Sequence, residues 1–279
     1  MTIQRIAAFS HGDTGGNPAG VLISPSHPPV DKMRAIAAEV GFSETAFSAP
    51  DADGAWRVRY FSPQSEVPFC GHATIALGSA LTRQFGPGTY RLILNNSNIT
   101  VEGSEDGGLY TAALQSPPTR SRPADADTLQ KVLTLFGFAE DQIDYRIPPA
   151  IVHGGADHFS LTLTSREALA SMAYDQEAGR RLMEDHGWVT IMLAYSESPQ
   201  QFHTRNAFAS GGVYEDPATG AASAAFAGYL RDIDWPHGGR IEISQGADMG
   251  MPSQIHAEIG DEKSGSIRVS GTARIMQDR

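Results

Sequence analysis

Apolar residues recur along the chain with two different periods. Short apolar runs at Ile3–Phe9 and at Val21-Leu22-Ile23 flank a glycine-rich turn from Gly12 to Gly20, which predicts two strands. Met33, Ile36, Ala37 and Val40 then fall at i, i+3, i+4 and i+7. That spacing predicts a helix over 31–40, with Gly41 in the left-handed position that ends it. Trp56 to Phe61 alternates as a strand does, and strand-like pieces recur at 91–101 and 109–114. The stretch from Ser116 to Asp125, rich in Pro, Ser and Asp, reads as an interdomain linker. Beyond it, Leu129, Val132, Leu133 and Phe136 predict a helix closed by Gly137. Strands follow at 159–163, 188–194, 241–243 and 267–269.

Two segments have neither period, because they have no polar face. Gly71–Leu81 and Gly220–Leu230 are small or apolar all round, the pattern of a buried helix against which strands can pack from every side. A shift of 149 lays residues 71–91 over 220–240 with six identities, among them Gly71/Gly220, Ala73/Ala222, Leu81/Leu230 and Arg91/Arg240. Both segments run turn, small-residue helix, Pro-containing loop, then a strand from Arg. An internal duplication into two similar domains is the expectation, with domains at 1–118 and 119–279 and the last strand able to return to the first. Each domain is a strongly bent sheet around its own helix, so the fold class is α+β.

Composition narrows the function. The chain has 279 residues, 41% of them apolar, and no apolar run near the roughly 20 residues that span a bilayer. The N-terminus shows no secretory signal, so a cytoplasmic protein without membrane contact is expected. Acidic residues outnumber basic ones 32 to 21, which argues against a nucleic-acid partner. A single cysteine, Cys70, rules out an internal disulfide and any site needing two thiolates from one chain. No histidine pair has HExxH spacing and no phosphate-binding glycine motif occurs, so neither metal nor nucleotide cofactor is expected.

Candidate chemistry clusters where the two small-residue helices begin. Cys70 and His72 stand at the first start; Glu215, Asp216 and Thr219 stand at the second. Helix N-termini present unpaired N–H groups and the positive end of the macrodipole, so two of them at one cleft would bind a carboxylate or a developing negative charge. Taken singly, each start reads more simply as an ordinary cap beside a buried thiol. Their occurrence at matched repeat positions favours a site. Glu44 is the third piece. If 42–47 is a strand, Glu44 shares a face with Phe42 and Ala46, where desolvation would raise its proton affinity and suit it as a general base. Spacing leaves open the opposite arrangement, with Glu44 solvated and Phe47 inward.

At these residues the sequence resembles the PhzF-like phenazine-biosynthesis family, of the diaminopimelate epimerase fold. The matching stretches are Gly16-Asn17-Pro18-Ala19-Gly20-Val21, Ser43-Glu44-Thr45-Ala46-Phe47, Arg59-Tyr60-Phe61-Ser62-Pro63 with Glu66, Pro68-Phe69-Cys70-Gly71-His72-Ala73-Thr74, Gly212 to Gly220, Gln245-Gly246 and Gly250-Met251-Pro252-Ser253. The resemblance implies two barrel-like domains around central helices, a homodimer, and a cofactor-independent isomerase or epimerase that moves a proton on a small anionic, carboxylate-bearing substrate. It implies Glu44 as the base with His72 and Asp216 as its helpers; Cys70, at the first helix start, is a further catalytic candidate. Asn17, Ser43, Gly71, Ala73, Thr219, Gly220, Ala221, Gln245 and Gly246 are the implied substrate-binding positions. The founding enzyme has Ala at Cys70 and Ser at Ala221. The epimerases of this fold use paired thiols; a single cysteine leaves a Glu44/Cys70 pair as the version open to this chain. The competing readings are a binding or interaction protein that keeps the fold without turnover, and metal-dependent hydrolysis at Cys70 and His72, which lacks further ligands in the sequence.

Overall fold

The computed structural model describes residues 2–276 and divides the chain into two compact units, Met1–Gln115 with Ser270–Arg279, and Ser116–Val269. In the first, strands β1 (Gln4–Ala8) and β2 (Asn17–Ile23) precede helix α1 (Val30–Val40), then come β3 (Thr45–Pro50), β4 (Trp56–Phe61) and the short β5 (Glu66–Val67). Helix α2 (Gly71–Phe85) follows, then β6 (Gly88–Ile93), β7 (Asn98–Asp106) and β8 (Leu109–Gln115). The second unit runs β9 (Arg120–Pro123), α3 (Ala126–Phe136), β10 (Ala150–His153), β11 (Asp157–Leu163), α4 (Arg166–Ala170), α5 (Gln176–His186), β12 (Thr190–Ser196) and β13 (Gln201–Ala207). It ends with β14 (Glu215–Asp216), α6 (Gly220–Asp232), β15 (Arg240–Gln245), β16 (Ser253–Ile259) and β17 (Ile267–Ile275), whose residues from Ser270 belong to the first unit.

Strand pairing closes the first unit into a barrel. The order β1-β2-β3-β4-β6-β7-β8-β17 returns to β1, with Ile6 opposite Ile275 at the closure. Two of its neighbours, β2·β3 and β4·β6, are parallel. The second unit repeats the scheme: β9-β10-β11-β12-β13-β15-β16, with β11·β12 and β13·β15 parallel. In each order a single antiparallel step, β3·β4 or β12·β13, separates the two parallel pairs. The duplication inferred from the 149-residue offset is therefore matched in topology.

Each small-residue helix is the core of its own unit. Every residue from His72 to Thr82 is buried, and α2 packs on β1, β2, β3, β6, β7 and β8. In the same way α6 packs on β9, β10, β11, β15 and β16. Gly78 shows why the helix is built of small residues: a Cβ there would meet Val101 Cγ2 at 2.6 Å and Ala112 Cβ at 3.0 Å. α1 lies on the other face of the sheet, where Met33 and Ala37 pack with Leu22, Phe47 and Phe61.

Two expectations need correction. The segment 42–47 is not wholly strand, since β3 begins at Thr45. Both faces of β3 are buried, Ala46 and Phe47 alike, so the choice between an inward and a solvated face did not arise. The linker is partly ordered structure: Arg120–Pro123 pairs with β10, and the Asp125 side chain accepts a hydrogen bond from the Thr128 amide to cap α3. Proline at the end of an edge strand reads like a linker from sequence.

The core of the second unit holds a polar chain. The Thr190 hydroxyl donates to Asn206 Oδ1 (3.0 Å), so the fully buried His158 donates from Nδ1 to Thr190 Oγ1 (2.8 Å). Burial disfavours the imidazolium and pulls His158 down to about 4. The unfolded chain therefore takes up a proton well before the folded one does. The contribution is fully present above pH 6.5 and is lost as pH falls from 6.5 toward about 4, with a slope of up to about 1.4 kcal/mol per pH unit. His158→Gln should flatten this part of the urea-denaturation profile by about one proton. An unchanged slope would contradict the assignment. Gly78→Val should destabilise by about 1–3 kcal/mol through overpacking, read as a lower denaturation midpoint.

Candidate functional site

Neither buried helix is capped by a side chain at its N-cap residue, Cys70 for α2 and Thr219 for α6. By contrast α3, α4 and α5 are capped by Asp125, Ser165 and Asp175. The first N–H groups of a helix have no intrahelical partner, so the starts of α2 and α6 offer donors to a ligand.

At the start of α2, Ser43, Glu44, Cys70 and His72 come together around the imidazole. His72 Nε2 lies 3.5 Å from Glu44 Oε2 and 3.4 Å from Ser43 Oγ, and its Nδ1 lies 3.4 Å from Cys70 Sγ. The Glu44 side chain is 14% exposed and that of His72 8%. Glu44 precedes β3, yet its carbonyl already accepts from the Gly20 amide (3.2 Å), which ties it to the β2–β3 ladder. Gly71 and Ala73 belong to the first turn of α2, and Asn17 is buried at the start of β2 opposite Ala8.

Supporting groups hold this start in place. The Thr74 hydroxyl donates to the Cys70 carbonyl (2.7 Å), so Tyr60 donates its own proton to Thr74 Oγ1 (2.7 Å). Burial pushes the Tyr60 phenol well above its ordinary range and keeps it a donor. Arg59 of β4 grips Glu66 of β5 through two hydrogen bonds, 2.8 and 2.6 Å, and the guanidinium holds the Glu66 carboxyl below the usual range. Arg59, Tyr60 and Glu66 stood within the matched motifs, but their supporting role was not legible. The inward alternation of β4 was the available signal for Tyr60.

The second unit repeats the brace without counterparts of Glu44, Cys70 and His72. Arg205 of β13 grips Glu215 of β14 at 3.0 and 2.6 Å, as Arg59 grips Glu66. Phe61 pairs with Glu66 and Ala207 with Glu215, so the hairpins correspond residue for residue. One strand further, Thr45 faces Phe61 and Ile191 faces Ala207, so Thr190 stands where Glu44 does. By the 149-residue shift, Thr219 corresponds to Cys70 and Ala221 to His72. The Thr219 hydroxyl donates to Asp216 Oδ2 (2.6 Å). Gln245 Oε1 accepts from the Thr219 amide (3.1 Å), and Gln245 Nε2 donates to the Asp216 carbonyl (2.6 Å) and to Thr219 Oγ1 (3.0 Å). Gln245 thus organises the approach to Gly220 and Ala221. Gly246, at φ 75°, leaves no room for a Cβ, which would meet Met251 O at 2.3 Å and Pro217 O at 2.7 Å.

Sequence spacing suggested no metal-ligand set. The fold nonetheless brings one carboxylate, one thiol and one imidazole together, with a ligand atom of each of Glu44, Cys70 and His72 within 4.8 Å of the others. Local spacing could not reveal this, because Glu44 comes from a different element. No helix among the described residues is long and apolar enough to cross a membrane.

Comparison with known proteins places these features in a family. The family model for phenazine biosynthesis-like proteins, PhzC-PhzF, matches residues 6–279. The trans-2,3-dihydro-3-hydroxyanthranilate isomerase of Pseudomonas aeruginosa is 31% identical over 95% of this chain and 94% of its own. An uncharacterized isomerase of Escherichia coli, YddE, is 27% identical over 98% and 96% of the two chains. The crystal structure of a Bacillus anthracis phenazine biosynthesis protein of the PhzF family shares the fold, with a TM-score of 0.86 at 19% identity, covering 99% of this chain and 96% of that one. Two duplicated units built around buried helices, and homology along the whole chain to named isomerases, together establish that the chain belongs to the phenazine biosynthesis-like (PhzC-PhzF) family and is an isomerase.

Proposed function

We propose that the chain catalyses a cofactor-independent proton shift on a small carboxylate-bearing substrate, with Glu44 as the base. The observation that carries this reading is the Glu44–His72–Cys70 cluster beside the uncapped start of α2. Glu44 takes a proton from a carbon next to a carboxylate or a conjugated system. The C–H electron pair moves into that system, the double bond shifts, and the proton returns at another carbon. The overall step is redox-neutral, so a base, a proton carrier and a stabilised anion suffice. The α2 amides are the donors for the developing charge. His72, within reach of Glu44, Ser43 and Cys70, holds the carboxylate in position or passes its proton on. Asp216, Thr219 and Gln245 are assigned to the same reaction on the strength of their motifs, and the dimer and cytoplasmic location on the family resemblance.

The test is proton exchange in D2O on small unsaturated carboxylates, starting with trans-2,3-dihydro-3-hydroxyanthranilate, the compound in the relative's name. Deuterium entry into substrate or product is read by NMR. Glu44→Gln should keep fold and ligand affinity while turnover falls by about 10²–10⁴-fold. Cys70→Ala should lose less if Glu44 both removes and returns the proton, and as much if the two residues act as a pair. Full activity in Glu44→Gln would discard the reading.

A further inference from the structure

We propose that Glu44, Cys70 and His72 also form a binding site for a thiophilic divalent cation, Zn²⁺ above all. Among the described residues no other three such donors come so close together. His72 Nε2 lies 3.5 Å from Glu44 Oε2 and 3.9 Å from Cys70 Sγ. Tetrahedral zinc with bonds of about 2.0–2.3 Å needs ligand-to-ligand edges of about 3.3–3.6 Å. The Glu44–His72 and His72–Cys70 edges therefore stand within a few tenths of an ångström of a coordination shell, and all three donors lie within 4.8 Å of one another. They sit on the fold rather than on a mobile tail: Cys70 and His72 at the start of α2, Glu44 fastened by the Gly20 amide.

Charge decides which cation fits. The positive end of α2 opposes any cation, so the ligands have to supply the compensation. A carboxylate and a thiolate together neutralise a divalent ion, and no net charge is left in a site whose side chains are mostly buried. The thiolate selects zinc over magnesium or calcium. On binding, the Cys70 thiol proton leaves to solvent, an Sγ–metal bond forms, and no atom changes oxidation state. Ser43 Oγ, 3.4 Å from Nε2, or a water takes the fourth position. The exposed pairs His203–Glu197 and His256–Glu242 offer two donors each and no thiol.

This inference shares residues with the proposed function but not its premise, since binding is read without substrate. Failure of either one is a separate result. Co²⁺ alone is titrated into the whole protein under reducing conditions. A thiolate-to-cobalt charge-transfer band should saturate at about one equivalent and be abolished when Zn²⁺ displaces the cobalt. Cys70→Ala should lose the band. Cys70→Ala, Glu44→Gln and His72→Gln should each weaken Zn²⁺ binding by at least the roughly 10–100-fold seen when only an outer-shell partner is lost. His203→Ala should leave both readouts unchanged. Absence of the band in the wild-type protein overturns the proposal whether or not the variants fold. So does equal Zn²⁺ affinity in the wild type and a folded Cys70→Ala.

Discussion

A helix enclosed by a sheet leaves its side chains almost no space, and the rest of this structure follows from that restriction. Gly78 is held between Val101 and Ala112, and the turns on either side of it are small or tightly buried. Such a helix has no polar face, and the few polar residues along it, Ser79 and Thr82 in α2 for example, are small and buried. The residues leading into α2 and α6 are where the enclosure ends, and there the N-cap residues supply no side-chain cap to the first amides. The braces around those starts serve the same restriction. Arg59–Glu66 and Arg205–Glu215 fix the two short strands that precede the helices.

The duplication kept the frame and changed the side chains at the helix starts. Both units have the arginine–glutamate brace, and Thr74 and Ser223 each donate a hydroxyl to the carbonyl of the N-cap residue. Glu44, Cys70 and His72 occur only in the first unit; Thr190, Thr219 and Ala221 take their places in the second. Thr190 is built into the polar core with His158 and Asn206, and Thr219 is engaged with Asp216. The carboxylate, thiol and imidazole grouping thus stands at the start of α2, and the start of α6 is organised by the Gln245 amide and the Asp216 carboxylate.

Much of this was legible in the sequence because small-residue helices are conspicuous. Gly71–Leu81 and Gly220–Leu230 have no polar period, and no other arrangement buries them as well. The amphipathic helix ending at Gly41 was equally clear, since its stripe faces one cluster. The orientation of Glu44 was not, because it lies just before β3, a strand covered on both faces in which Ala46 and Phe47 are buried alike, so no alternation marks its side. The Glu44–Cys70–His72 grouping came from the motifs and not from periodicity, and the braces were not legible at all. They join elements distant in sequence, and pairing register, which periodicity does not report, brings them together.

The central claim is that Glu44, His72 and Cys70 form one interacting set. Side-chain ¹⁵N–¹H correlation spectra of His72 test it most directly, recorded for the wild type, Glu44→Gln and Cys70→Ala. With Glu44 at 3.5 Å from one ring nitrogen and Cys70 at 3.4 Å from the other, each substitution should move the His72 ring resonances and leave those of the distant His203 and His256 in place. Ring resonances of His72 that are the same in all three proteins would contradict the account.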